Sequence, residues 1–248
     1  MADLQSKVAL VTGGGRGIGA GISRQLALRG ARVAVNYSSG REAADKLAQR
    51  LRSQGLQAEI FQADVRESLE VNRMRDEIAK RWGTIEILVN NAIAGQNQGP
   101  FEEKSWEDYQ TSIDFGLKAV WNTTHAVLDG MKRNKSGRIV NIVTELWNFA
   151  PAHWSVYLAG KGSMVGVSRG LADELGPHGI TLNMVAPGWM LDDKHTQEDE
   201  GYAKGNPLRR QGTADDIGRA VAFLASDEAA FITGAYLPVC GGRVRQSG

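Results

Sequence analysis

The chain has 248 residues, 42% hydrophobic and 23% charged, with 29 Lys and Arg against 28 Asp and Glu. A balance this close to neutral sets up no field that recruits nucleic acid or an anionic membrane surface. The length suits one α/β domain spanning 1–248, and the single Cys240 excludes an intrachain disulfide and a cysteine-rich metal site.

Near the N-terminus the apolar stretch Val8–Val11 is too short for a signal segment. No run anywhere reaches membrane-spanning length, so a soluble, cytoplasmic protein is expected. Val8–Thr12 reads as a strand and Ile22–Arg29 as a helix, with Thr12-Gly-Gly-Gly-Arg-Gly-Ile-Gly19 joining them. The spacing of Gly13, Gly17 and Gly19, with Gly15 and Ile18 inside it, lets backbone N–H groups approach phosphates at a helix N-terminus. Arg16 puts a guanidinium in the same turn, where it can pair with a phosphate. A strand over Arg32–Asn36 runs into Tyr37, Ser38 and Ser39, followed by an amphipathic helix over Arg41–Gln54 and a strand over Ala58–Gln62. Asp64 and Val65 precede a helix over Leu69–Trp82, and a strand over Ile85–Asn90 leads into Asn91, Ala92 and Ile93.

One long helical segment is expected over Trp106–Lys132, then a strand over Arg138–Val143 ending at Thr144. Glu145 follows, a candidate second acid/base near the pocket; neighbouring strand residues face opposite ways, so it belongs at the surface unless the strand has already ended. Trp147, Phe149 and Trp154 make the next stretch aromatic, and with Trp189 they suit a flat, apolar ligand. A helix over Ser155–Leu175 carries Tyr157 and Lys161, four apart and so on one face. A strand over Thr181–Val185 precedes Pro187, Gly188 and Trp189. The charged, apolar-poor segment Leu191–Gly205 is a loop, part of a substrate-covering excursion over 189–212. Thr213-Ala-Asp-Asp216 reads as a capping box for a helix over Ile217–Ala225, and Gly234–Val239 as the last strand. His125, His153, His178 and His195 lack ligand spacing, and no metal is expected. The alternation of short apolar strands with crossover helices implies a doubly wound, Rossmann-like parallel sheet of about seven strands.

Tyr157 and Lys161 suggest proton transfer. A phenol with an ordinary pKa of about 10 is a weak acid near neutrality, and a cation one helical turn away favours its phenolate.

Six motifs stand in one order: Thr12–Gly19, Asp64-Val65, Val89-Asn-Asn-Ala92, Tyr157–Lys161, Pro187-Gly188 and Gly241-Gly242. With these, essentially the whole chain resembles the short-chain dehydrogenase/reductase family, near its 3-oxoacyl-carrier-protein reductases. The resemblance implies carbonyl reduction with Tyr157 as proton donor and Lys161 also holding the nicotinamide ribose. It further implies Asp64 and Val65 at the adenine, and Asn91 and Ala92 along the ribose. The acidic residue that the family uses to prefer NAD is replaced here by Tyr37, with Ser38, Ser39 and Arg16 nearby in the pattern, so NADP(H) is the expected cofactor. The family serine thirteen residues before the tyrosine is Thr144, which keeps the hydroxyl and stiffens χ1. Three further positions depart from the pattern: Gly116 stands for an asparagine that anchors a proton relay, Ile93 for a glycine beside the cofactor, and Asp192 for a threonine that touches the carboxamide.

The resulting expectation is an NADPH-dependent ketoreductase for an apolar, aromatic or polyketide/acyl-type substrate, small or carrier-bound, with Trp147, Trp154 and Trp189 at the substrate mouth. A specialised biosynthetic or non-redox enzyme with a rerouted relay, and a weakly catalytic cofactor-binding regulatory subunit, stay open at this point. Apolar excess on Trp106–Lys132 and Ser155–Leu175, including Trp121 and Met164, implies a homo-oligomer, dimer or tetramer.

Overall fold

The computed structural model describes residues 3–192 and 196–243. In chain order it forms β1 (Val8–Val11), α1 (Gly17–Leu28), β2 (Arg32–Tyr37), α2 (Arg41–Ser53), β3 (Ala58–Gln62), α3 (Ser68–Trp82) and β4 (Ile87–Asn90). There follow α4 (Trp106–Ile113), α5 (Ala119–Asn134), β5 (Gly137–Ile142), α6 (Ser155–Leu175), β6 (Ile180–Pro187), β7 (Met190–Leu191), α7 (Glu200–Gly205), β8 (Gly212–Thr213), α8 (Ala214–Leu224) and β9 (Tyr236–Val239).

Seven strands form one parallel sheet in the order β3-β2-β1-β4-β5-β6-β9, while β7 and β8 pair with each other. Strand side chains alternate between faces, and the core divides accordingly. Ala9 and Val11 of β1 pack with Ile22 and Leu26 of α1, Leu47 of α2 and Val221 of α8, whereas Val8 and Leu10 pack with Met74 of α3, Met131 of α5 and Leu175 of α6. All eight residues of β6 are buried, as a parallel strand covered on both faces requires. The strand order reverses direction between β1 and β4, so their C-terminal ends flank the crevice where such sheets bind ligands.

Two expectations change. The segment read as one helix over Trp106–Lys132 is α4 and α5 joined by a π-helical turn over Asp114–Lys118. The segment read as loop over Leu191–Gly205 contains α7, started by Asp199 accepting from the Tyr202 amide; its residue His195 lies outside the described residues. The capping box at Thr213 and Asp216 is present. Among the described residues no helix is long and apolar enough to cross a membrane.

Candidate active site

The turn after β1 forms a cradle at the start of α1. Gly13 and Gly17 have φ of +59° and +53°, which favours glycine at both. The Gly13 amide donates to Asn36 Oδ1 at 3.2 Å and the Gly14 amide to the Asn36 carbonyl at 3.0 Å, so β2 holds the turn. From the β4 side, Thr12 Oγ1 accepts from the amides of Asn91 and Ala92 at 2.9 and 3.0 Å, and Asn91 Nδ2 donates to the carbonyls of Thr12 and Gly13. A Cβ on Gly15 would stand 2.8 Å from Ala44, and one on Gly19 would collide with the Gly13 carbonyl. The first turn of α1 carries no acidic side chain, and the positive end of its dipole faces the cradle. This cradle fits the phosphates of a dinucleotide. Asp192 also reaches it: its carboxylate lies 3.6 Å from where a Cβ on Gly17 would be.

Beside the cradle, Arg16, Ser38 and Ser39 are exposed and Ile18 is partly covered. Tyr37 is different, being only 7% exposed and packed in the core. Asp64 accepts three guanidinium bonds from Arg66, at 3.0, 3.2 and 2.6 Å, and this pairing holds its carboxyl below the usual carboxylate range. Val65 is buried, and its carbonyl accepts from Asn122 Nδ2 at 3.0 Å.

Tyr157 and Lys161 lie on the buried face of α6, and Thr144 lies just past the end of β5. Their exposures are 8%, 5% and 4%. Lys161 Nζ donates to the Ile142 carbonyl at 2.6 Å, tying the helix to the strand. Burial pushes the phenol up to about 12, an effect that a side-chain hydrogen bond with Thr144 opposes, and pushes the Lys161 ammonium down to about 8. Desolvation therefore outweighs the Thr144 hydrogen bond, and the phenol is raised rather than lowered as expected from Lys161 one turn away. A narrow cleft leads from Ala92–Gly95 past Phe115 and Met164 to Tyr157 and Lys161. Ile93 lines it and is exposed, whereas Met164 is buried in the core, contrary to its expected place on an oligomer face.

Gly116 has a steric role that spacing alone does not reveal. A Cβ there would run into the backbone of Gly160, and one on Gly160 would run into Ser112, so the π turn and α6 meet backbone to backbone. No asparagine side chain fits that contact.

Around the mouth, the Trp154 ring sits edge-on to Tyr157 at 5.4 Å, Trp147 covers Gly162 of α6, and Trp189 follows the Pro187-Gly188 turn with its ring edge-on to Tyr202 at 5.4 Å. Glu145 is not on the surface. Because β5 ends at Ile142 and a 3₁₀ turn begins at Glu145, alternation no longer applies, and the carboxyl is turned inward and 3% exposed.

A buried polar chain that the sequence reading missed fixes this machinery to the sheet. Thr123 Oγ1 donates to Asn90 Oδ1 at 2.7 Å, Asn90 Nδ2 to Asn141 Oδ1 at 2.8 Å, and Asn141 Nδ2 to Ser168 Oγ at 2.8 Å. The only sequence signal was an asparagine inside each of two apolar strands.

A family model described as enoyl-(acyl carrier protein) reductase matches residues 13–243. The chain is 37% identical over 243 residues to a 3-oxoacyl-(acyl-carrier-protein) reductase of Staphylococcus epidermidis, covering 96% of this chain and 98% of that one. Among solved structures, a blue fluorescent protein from a metagenomic library, in complex with NADPH, is 35% identical with a TM-score of 0.88, covering 98% of this chain and 100% of the other. A mutant short-chain dehydrogenase/reductase of Serratia marcescens is 31% identical with a TM-score of 0.89, covering 97% and 99%. These matches run over nearly the whole chain, and the chain belongs to the short-chain dehydrogenase/reductase family of oxidoreductases.

Proposed function

We propose that the protein is an NADPH-dependent reductase that turns a ketone into an alcohol on an apolar, aromatic or acyl-type substrate, free or carried on a carrier protein. The observation that carries this reading is the buried pair Tyr157 and Lys161 lining the cleft, with Tyr157 hydrogen-bonded to the buried Thr144 and Lys161 anchored to β5. When bound, NADPH supplies the hydride that reaches the carbonyl carbon.

Gly13, Gly15, Gly17 and Gly19 hold the phosphates against backbone amides. Arg16 with Ser38 and Ser39 supplies the charge and hydroxyls that a 2′-phosphate needs, and Pro187-Gly188 backs the nicotinamide end. Thr144 orients the carbonyl oxygen. Tyr157, fully protonated near neutrality because burial raises its pKa to about 12, gives its proton to the developing alkoxide. Lys161, cationic below its own pKa of about 8, steadies the phenolate left behind. The reading includes a single functional unit over the whole chain, a dimer or tetramer, and a cytoplasmic location where NADPH is replenished and the buried thiol of Cys240 stays reduced.

The test is NADPH consumption against a panel of aryl ketones, quinones and 3-oxoacyl thioesters, with NADH as comparison. Turnover that favours NADPH and vanishes in Tyr157→Phe is expected. Equal or better use of NADH would overturn the cofactor reading, and turnover indifferent to Tyr157 would overturn the mechanism.

A further inference from the structure

Among the described residues, Glu145 is the one buried acid beside the catalytic row that carbonyl reduction does not use. Its Oε1 accepts from the Tyr202 hydroxyl at 3.2 Å, and the Cys240 thiol and the Arg243 guanidinium also act on the carboxyl, which burial nonetheless holds above the usual carboxylate range. Tyr202 stands on α7, far along the chain from Glu145, and its hydroxyl in turn accepts from the backbone amide of Trp189 at 2.8 Å. The chain of bonds therefore has one direction, from Trp189 N–H to Tyr202 Oη–H to Glu145 Oε1, and it needs an acceptor at position 145. Packing holds the same hub. The Tyr202 ring has the Trp189 indole at its edge and the Arg243 guanidinium 4.4 Å from its centroid, while a Cβ on Gly188 would stand 2.6 Å from the Tyr202 hydroxyl.

Three segments meet at this hydroxyl. They are the 3₁₀ turn that follows Thr144, the Pro187-Gly188-Trp189 turn at the end of β6, and the helix α7 inside the excursion over the site. We propose that Glu145 is a positioning residue: through Tyr202 it pins α7 and the Trp189 turn to the segment that carries Thr144, so that the aromatic wall of the substrate site keeps a fixed distance from the reacting centre. A hydrocarbon at 145 would leave the half-buried Tyr202 hydroxyl without its acceptor, and the turn would loosen. Glutamine keeps a carbonyl oxygen in the same place and preserves the pin. The kinetic consequence rests on the reductase reading; the pin itself does not.

The test uses the full chain with Glu145→Leu, Tyr202→Phe, the double variant and Glu145→Gln, read by hydrogen exchange and by steady-state kinetics on the best ketone of the panel. In Glu145→Leu and Tyr202→Phe, peptides spanning 187–205 should exchange about tenfold faster or more, because Tyr202→Phe removes the acceptor of the Trp189 amide and Glu145→Leu frees that acceptor from the segment that holds it. Their KM should rise about tenfold with kcat changed less than about threefold, the pattern of lost substrate positioning rather than lost chemistry. The double variant should be no worse than the worse single, and Glu145→Gln should stay near the wild type in both readouts. Unchanged exchange in Tyr202→Phe, additive effects in the double variant, or a glutamine variant as impaired as leucine would each overturn the pin. If Glu145→Leu does not fold, Tyr202→Phe and Glu145→Gln decide the matter alone. Absence of any ketone turnover would count against the reductase reading, while exchange would still decide the pin.

Discussion

Tyr157 is buried deeply enough to be held as a neutral acid, so removing its hydroxyl while keeping the ring isolates the chemistry from the packing. Tyr157→Phe should cost about 10²–10⁴-fold in carbonyl reduction with NADPH binding retained, and Thr144→Val should cost less, since the remaining phenol still binds the oxygen. An inverted order in side-by-side rates would contradict the assigned roles. Lys161 gives a pH signature. Its pKa in the folded chain, about 8, lies below the 10.5 of an unfolded lysine, so between those values the unfolded state binds the extra proton. Its contribution to stability therefore rises with pH across that window, while reduction, which needs the cation, falls above about pH 8. Melting curves and rates followed in parallel from pH 7 to 10 should diverge in that way, and Lys161→Met should abolish this lysine's share of the stability trend. At the cradle, Asp192 brings an anion to the seat of the phosphates, so Asp192→Asn should tighten NADPH binding, by about threefold to tenfold at low ionic strength. Weaker binding by the variant would show that the carboxylate helps rather than opposes the cofactor. These residues differ in how far the sequence revealed them. Tyr157 and Lys161 were legible because helical spacing alone puts them together, whereas the side to which Glu145 turns depended on where the strand ends, and β5 ends three residues earlier, at a point that composition does not mark.

At the scale of elements, boundaries set by composition were legible and those set by contacts were not. Short apolar strands and the Thr213 capping box were readable because local chemistry decides them. The break between α4 and α5 was not, since the π turn lies where Gly116 meets Gly160, a contact between segments far apart in sequence. It follows that restoring the family asparagine will not restore a relay. Gly116→Ala alone should destabilise the protein by about 1–3 kcal/mol as the overpacked turn is forced off α6, and Gly116→Asn should lower both melting temperature and turnover. A gain in rate from Gly116→Asn would mean that the contact yields cheaply and that the relay had been lost. The buried chain from Thr123 to Ser168 makes a second claim at this scale. Asn141→Leu strands the donor of Asn90 inside the core, an unsatisfied group that costs about 1–3 kcal/mol, while the Ser168 hydroxyl keeps its bond to the Met164 carbonyl. Chemical denaturation should register a loss of that order, with catalysis affected through α6.

At the scale of the whole molecule, the sheet order was implied by strand–helix alternation, and the crevice between β1 and β4 follows from that order with no further information. What the alternation does not decide is which apolar side chains of α5 and α6 face outward. Met164 turns out to be core, filling space beside Val120 and Val143. Trp121 is the opposite case: it is 56% exposed and stacked on His125 at 5.1 Å, with Leu117 at 38% on the adjoining π turn and Trp106 at 66% on α4. Large apolar groups gathered on one helical layer, outside the core and away from the cradle, argue for burial against another copy of the chain. Sedimentation at micromolar concentration should accordingly show a dimer or tetramer, and Trp121→Lys should shift the distribution toward smaller species while leaving NADPH binding per chain intact, because the cradle is built wholly from β1, α1 and their neighbours. A wild-type monomer under those conditions would refute assembly through this face. A wild-type oligomer that Trp121→Lys leaves unchanged would move the interface elsewhere, to a surface such as the fully exposed Phe231 beside β9.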